Sequence, residues 1–167
     1  DTLSVTSASA ANGTVSINID GTLSYTPNTG FNGTDSISYD ISDGFGGFSS
    51  ATVTILVNTP PVAVNDVATT TEDTSVVINV LANDTDLDGN QISLISATAA
   101  NGSVLMNIDD GKLTYTPDAN FFGSDTILYG ISDPFGGQSF ATVDVTVIAD
   151  NFSPIAVDDQ ITLNDGT

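Results

Sequence analysis

Apolar and polar residues alternate in short segments along most of the chain, and clusters of Gly, Pro, Asn and Asp separate these segments about every 8–12 residues. A period of two places side chains of one kind on one face of a strand. Three predicted inward faces consist of Val76, Ile78 and Val80, of Ile127, Tyr129 and Ile131, and of Ala141, Val143, Val145 and Val147. Since no segment keeps a helical period, the pattern predicts an all-β sandwich.

The chain also repeats itself. The segment NGTVSINIDGTLSYTP at 12–27 returns as NGSVLMNIDDGKLTYTP at 101–117. The segment GFNGTDSISYDISDGFGG at 30–47 returns as NFFGSDTILYGISDPFGG at 120–137. A third copy begins where PIAVDD, from residue 154, repeats PVAVND, from residue 61. The repeat period is therefore about 90–93 residues, as in a tandem array.

This period predicts three parts: the C-terminal part of repeat 1 at 1–58, a complete repeat 2 at 59–151, and the first strand of repeat 3 at 152–167. Seven or eight short strands in about 90 residues indicate an immunoglobulin-like Greek-key β-sandwich. Such a window implies a longer parent array. In an alternative, the chain is a self-assembling fibre subunit, in which strand 153–167 completes the truncated repeat of a neighbouring copy.

Turn-forming pairs mark the ends of several predicted strands. Asn and Gly tolerate positive φ, which two-residue hairpin turns require. We therefore predict hairpin turns at Asn12-Gly13, at Asn101-Gly102 and at Asp20-Gly21.

Charge narrows the possible functions. The chain has one Lys or Arg against 21 Asp and Glu, a net charge of -20, and neither His nor Cys. A Ser-His-Asp triad, a Cys nucleophile and an imidazole or thiolate metal site are therefore excluded. Nucleic acid and anionic membranes would be repelled, and no apolar run is long enough to insert into a bilayer. We expect no enzyme, and carboxylates remain as ligands for a hard cation.

The densest acidic cluster lies at residues 83–90, NDTDLDGN, between two predicted strands. Alternating Asp84, Asp86 and Asp88 before Gly89 place three carboxylates on one side of a sharp turn, as calcium loops do. The spacing matches the first half of an EF-hand loop, but Ile95 stands at its twelfth position. The cluster predicts a Ca²⁺ site, and the alternative is a solvated acidic turn.

A second acidic group precedes this loop at Asp66, Glu72 and Asp73, which we predict to be further metal ligands. Asp73 with Thr74 could instead form a polar turn between strands. Asp43 and Asp133 stand at equivalent places in ISDGFGG and ISDPFGG, where a side-chain-capped turn is favoured over a calcium site.

The motifs PPVAVND, TEDT, NVLANDTDLDG, DGKLTYTP, FFGSDTILYGISD and ATVDVTV extend across the repeat. Together they resemble the cadherin-like or bacterial Ig-like tandem repeats of large bacterial surface adhesins. The resemblance implies an extracellular or cell-surface spacer that Ca²⁺ makes rigid, with neighbouring repeats as partners. It also implies that Glu72, Asp84 and Asp86 contribute to a calcium site near the repeat junction, assisted by Asp88 or Asn90. Homotypic or glycan contacts are further expected partners.

A carbohydrate-binding module is the main alternative function. Sugar sites present exposed flat aromatic rings, and the chain has no Trp. The four tyrosines fall on predicted inward faces. The aromatic candidates are therefore the Phe side chains in Gly-flanked loops: Phe31, Phe45, Phe121, Phe122 and Phe135.

Overall fold

A computed structural model describes residues 2–150, 157, 158 and 160. The strands are β1 Ser4–Ala10, β2 Gly13–Ile17, β3 Leu23–Pro27, β4 Gly33–Ser42, β5 Phe48–Val57, β6 Asp66–Thr71, β7 Val76–Ile78, β8 Ser93–Thr98, β9 Gly102–Asn107, β10 Lys112–Pro117, β11 Gly123–Ser132 and β12 Gln138–Ile148. The only helical element in these residues is a 3-10 turn at Val80–Ala82, and none of their helices could cross a bilayer. The predicted all-β class is confirmed.

The second copy forms a complete two-sheet sandwich. One sheet has the order β6-β12-β11-β8 and the other β7-β10-β9. Neighbouring strands are antiparallel except β6, which pairs with β12 in parallel, with Asp66 opposite Val143. Seven strands in two sheets agree with the predicted immunoglobulin-like sandwich.

The core lies between these two sheets, where the alternating residues meet. Tyr115 and Leu113 of β10 are fully buried against Tyr129 of β11 and Val143 of β12. The predicted inward residues of β11 and β12 are buried, as are Ile78 of β7 and Val80 of the 3-10 turn, while Val76 is partly buried. Burial therefore confirms these inward faces. The period-two pattern therefore placed the core correctly.

The first copy repeats only five of the seven strands. Its sheet β1-β4-β5 and its hairpin β2-β3 correspond to β8-β11-β12 and β9-β10. Residues 2–58 contain no counterpart of β6 or β7. Consequently Val53 of β5 is 41 % exposed, whereas its counterpart Val143 is 0 % exposed.

Two of the three turn predictions, at Asn12-Gly13 and at Asn101-Gly102, are wrong. Asn12-Gly13 is not a hairpin turn, because β1 pairs with β4 and β2 with β3, so the pair joins two different sheets. Asn101-Gly102 likewise joins β8 to β9, which lie in different sheets, and so is not a hairpin turn either. Gly is required here by packing, since a Cβ on Gly13 would collide with the ring of Tyr25. Asp20-Gly21, in contrast, does lie in the β2–β3 hairpin loop.

A buried carboxylate holds the corner between the sheets. Asp125 accepts hydrogen bonds from the Tyr115 hydroxyl at 2.8 Å, from the Asn101 backbone at 2.9 Å and from the Thr126 backbone at 2.8 Å. Burial by itself would raise the pKa of Asp125, but these hydrogen bonds outweigh it and lower the pKa. Asp35 repeats the arrangement in the first copy with Tyr25 and Asn12.

Candidate cation site

The acidic loop at residues 83–90 is organised around Asp86. Its Oδ1 accepts the backbone N–H groups of Asp88 at 2.9 Å and of Asn90 at 3.1 Å, and Gly89 follows with a φ of 74°. Its other carboxylate oxygen, Oδ2, is buried and has no hydrogen-bond partner among the described residues. A buried carboxylate oxygen without a donor is costly, so this atom is suited to a cation.

Asp88 extends from the same loop to the junction between the two copies. Its Oδ2 accepts the backbone N–H of Thr59 in the linker at 2.6 Å. Its Oδ1 is in hydrogen-bond contact with the side-chain amide of Asn32, which belongs to the β3–β4 loop of the first copy. Asp88 therefore connects the linker and both copies.

The linker residue Asn58 is bound from two sides by the second copy. Its amide Nδ2 donates to Oδ2 of Asp133 at 2.6 Å, and its Oδ1 accepts Nδ2 of Asn90 at 3.1 Å. The hydrogen bond from Asn58 is the main cause of the lowered pKa of Asp133. Oδ1 of Asp133 caps its own turn through Phe135 and Gly137, as the sequence predicted, while Oδ2 contributes to the junction.

A second pair of carboxylates lies around the hydroxyl of Tyr129. This hydroxyl is 3.2 Å from Asp66 Oδ2, 3.2 Å from Asp84 Oδ1 and 2.9 Å from the carbonyl oxygen of Val64. One hydroxyl proton can serve only one of these acceptors at a time. Burial raises the pKa of both carboxyl groups, and the charge of Asp66 raises that of Asp84 further. The pair is therefore short of positive charge.

Glu72 and Asp73 do not join these groups. They follow the C-terminal end of β6, whereas Asp66 begins it, and six strand residues span about 20 Å. Asp73 has a φ of 57°, and its Oδ1 accepts the backbone N–H of Asn120 at 2.9 Å. The structure thus brings Asp66, Asp84, Asp86 and Asp88 to the junction end and leaves Glu72 and Asp73 at the other end.

Carboxylates alone do not form a ligand shell here. In residues 2–150, 157, 158 and 160, no group of three or more acidic side chains could hold a metal ion. Ca²⁺ takes 6–8 oxygen ligands, including amide and backbone carbonyl oxygens. The unpartnered oxygen of Asp86 and the network of Asn58, Asn90 and Asp133 beside its loop are the donor types that Ca²⁺ prefers.

Sequence reasoning missed the role of Asn32 and of the Asp133–Asn58 contact. Asn58 and Asp133 are 75 positions apart, and Asn32 and Asp88 are 56 apart. Neither Asn32 nor Asn58 lies in an acidic motif. The available signal was the linker position of Asn58, directly after the last strand of the first copy.

The loop Phe residues do not form one aromatic surface. Phe45 is 83 % exposed, and Phe122 and Phe135 are also exposed, while Phe121 packs against the core. Phe122 precedes the first residue of β11 and Phe135 follows its last, so about 30 Å separate them. Phe45 belongs to the other copy.

Comparisons with known proteins match the chain to one family model, one relative and solved structures. The family model described as "Bacterial Ig domain" matches residues 1–56 and 58–146. Over 88 residues the chain is 38 % identical to Protein GAMETE EXPRESSED 2 of Arabidopsis thaliana, covering 53 % of this chain and 9 % of that protein. Among solved structures, the human desmocollin-1 ectodomain has a TM-score of 0.43 at 14 % identity, covering 87 % of this chain and 34 % of that one. An endo-fucoidan hydrolase of glycoside hydrolase family 107 has a TM-score of 0.39 at 21 % identity, covering 90 % and 24 %.

Proposed function

Because this chain belongs to the bacterial Ig domain family, we propose that it is a calcium-binding spacer of a large extracellular bacterial adhesin. In this function Ca²⁺ makes the tandem repeats rigid, and the array holds an adhesive region away from the cell surface. Its partners are Ca²⁺ and the neighbouring repeats, with homotypic or glycan contacts secondary. We propose no catalytic role for it, because the chain contains neither His nor Cys and its two copies match the bacterial Ig domain family.

The unpartnered Oδ2 of Asp86 is the single observation that carries this proposal. Asp86 folds the loop with one carboxylate oxygen and keeps the other buried. A cation there would replace the missing donor and would reduce the repulsion within a chain of net charge -20.

The residues that would hold the ion are Asn58 of the linker and side chains of the second copy. Asp86 supplies the free carboxylate oxygen, and Asp133 with the side-chain oxygens of Asn58 and Asn90 supplies ligands beside it. Asp66 and Asp84 are the further carboxylates at this end of the repeat. Ca²⁺ supplies positive charge that these oxygens share, and in doing so it would bind the linker to the second copy.

Mass action gives the size of the expected effect. A ligand at about 100 times its Kd stabilises the folded state by about 2.7 kcal/mol, which is a large part of the stability of a small domain. Free calcium is scarce inside cells and abundant outside them. The repeats would therefore be flexible before secretion and rigid after it.

The test is a calcium titration by calorimetry together with thermal unfolding in Ca²⁺, in Mg²⁺ and in excess EGTA. We expect saturable Ca²⁺ binding and a higher Tm in Ca²⁺ than in Mg²⁺. Asp86→Asn should lower the affinity at least tenfold. Asp109→Asn, which changes an exposed acid in the β9–β10 loop, is the matched control and should leave the affinity unchanged.

Two results would contradict the proposal. Identical unfolding curves in Ca²⁺ and EGTA would mean that the acidic loop is a solvated turn and not a Ca²⁺ site. Equal effects of Asp86→Asn and Asp109→Asn on the Ca²⁺ affinity would mean that Ca²⁺ only screens the total charge of the chain.

A further inference from the structure

One aromatic ring is exposed on the outer face of the four-stranded sheet in the second copy. Phe140 of β12 points away from the core, because Ala141 and Val143, which point into the core, are buried. Phe140 is 56 % exposed. It lies in a paired strand, apart from the loop Phe residues, so the backbone that carries the ring is held on both sides by neighbouring strands.

The ring leans across the neighbouring strand and covers Gly130. Phe140 pairs with Gly130 of β11, and a Cβ placed on this glycine would lie 2.7 and 2.9 Å from two carbons of the ring. The hydroxyl oxygen of Ser96, from β8 on the other side of Gly130, would lie 2.7 Å from the same Cβ. Since paired strands are about 4.8 Å apart, an upright ring would not reach this place. The ring therefore presents one of its faces to solvent.

The side chains around the ring are uncharged, and most of them carry a hydroxyl group. They are Ser96 and Thr98 of β8, Ser132 of β11, and Gln138 and Thr142 of β12. Leu128, which pairs with Thr142, and Ile95 add exposed apolar surface. Asp144, an acid on this face of β12, is four residues from Phe140, a distance of about 13 Å along the strand.

The first copy has a polar network at the same place. The row that consists of Ser96, Gly130 and Phe140 in the second copy consists there of Ser7, Asp40 and Ser50. The hydroxyls of Ser7 and Ser50 both donate to the Asp40 carboxylate at 2.6 Å. Because both copies form these three strands, the fold does not require a ring on this face.

A saccharide fits this surface by its chemistry. A pyranose with equatorial hydroxyl groups has C–H groups on its faces, which pack on an aromatic ring, and hydroxyl groups on its rim, which hydrogen-bond to Ser, Thr and Gln. The net charge of -20 opposes the approach of an anionic glycan. We propose that Phe140 is the stacking platform of a binding site for neutral, β-linked hexose chains.

A second copy of this chain fits the surface less well. A stable protein interface buries about 800 Å² on each partner around an apolar centre. Here three apolar side chains, those of Phe140, Leu128 and Ile95, lie among rows of Ser and Thr. Two chains of net charge -20 also repel each other. One sugar ring, in contrast, needs only one aromatic face and a few hydroxyl groups.

This site gives a place to the glycan contacts of the proposed function, on which it rests for its extracellular setting, and it uses none of the calcium ligands. An NMR titration of the full ¹⁵N-labelled chain with cellohexaose and with β-1,4-linked galactohexaose tests it. The titration extends to about 10 mM, so that it covers millimolar Kd values. We expect saturable shifts of the Ser96, Gly130 and Phe140 amides and none in the Asp40 row of the first copy.

The titration is carried out in Ca²⁺ and again in EGTA, which separates this inference from the calcium proposal. Saccharide binding in EGTA by a chain that binds no Ca²⁺ would refute the calcium proposal alone. A chain that binds Ca²⁺ but shows no saturable shift with either saccharide would refute the saccharide site alone. Anionic hexagalacturonate, tested in EGTA, should not bind, and equal binding of it would overturn the assignment to neutral chains.

Phe140→Leu keeps an apolar side chain over Gly130 but removes the flat ring, and it should weaken saccharide binding about tenfold, a change that the titration resolves. Phe122→Leu is the matched control, because Phe122 is also exposed but lies beyond the other end of β11. Equal affinities of the two variants would overturn the proposal. Concentration-dependent shifts of the same amides without saccharide would also overturn it, since they would mean that a second copy covers the ring.

Saturation-transfer difference NMR on the unmodified chain is a second readout that needs no variant. Irradiation of the aromatic protons should transfer magnetisation mainly to the C–H protons on one face of a sugar ring. Equal transfer to the protons of both faces would contradict stacking on Phe140.

Discussion

Replacing Tyr115 by Phe removes one hydroxyl group and leaves the fully buried ring of β10 in place. The hydroxyl donates to Asp125 at 2.8 Å, and Asp125 is itself buried at the corner between the sheets. Hydrogen bonds to charged groups contribute about 1.5–3 kcal/mol each. We therefore expect Tyr115→Phe to lower the free energy of unfolding of the second copy by about 2 kcal/mol.

The matched variant is Tyr25→Phe in the first copy. Tyr25 donates to Asp35 at 2.9 Å, but its ring is only half-buried and lines a cleft of the first copy that solvent reaches. Water can replace the lost partner there, so we expect a smaller effect, below about 1 kcal/mol. Urea unfolding followed by NMR signals from each copy would separate the two values.

The pH dependence provides a further check. The pKa of Asp125 lies below its ordinary value in the folded state, so its stabilisation is present at neutral pH and is lost as the pH falls through the lowered pKa. Tyr115→Phe removes one cause of that lowering. The difference between the variant and the natural chain should therefore be greatest at neutral pH and decrease below about pH 4. Equal losses for the two tyrosines, or a loss that grows on acidification, would refute the reasoning.

Three further variants test other contacts. Phe140 packs over Gly130 on the outer face of the sheet, so closely that a Cβ added at Gly130 would collide with the Phe140 ring. Phe140→Ala should lower the free energy of unfolding by about 1 kcal/mol, because this cross-strand pair is lost. An unchanged thermal unfolding curve would contradict this expectation. Gly102→Ala should destabilise the second copy by more than about 1 kcal/mol, because its Cβ would collide with Tyr115. An unchanged free energy of unfolding would contradict this. Asp88→Ala should change the free energy of unfolding of each copy by less than about 0.5 kcal/mol. Because the contacts of Asp88 to Thr59 and Asn32 are lost, residual dipolar couplings should show a broader distribution of orientations between the two copies. Unchanged couplings would exclude this role of Asp88.

The acidic residues show where sequence reasoning was incomplete. Asp84, Asp86 and Asp88 are two positions apart, and the loop keeps them at the junction end because the turn is local. Asp66, Glu72 and Asp73 formed one group by proximity in sequence, yet a strand extends them instead of folding them together. The strand places Asp66 beside Asp84 and carries Glu72 and Asp73 to the opposite end.

Local periodicity and internal similarity by themselves determined the strands, the repeat and the buried faces of this protein, because alternation and turn chemistry act between residues close in the chain. Only the tertiary structure decided what the polar side chains bind. It separated Asn12-Gly13 from the hairpins by placing β1 and β2 in different sheets, and it joined Asn58 to Asp133 and Asn32 to Asp88. These contacts depend on how strands far apart in sequence, and the two copies, meet in three dimensions. The spacing of residues along the chain does not give the distances between those strands.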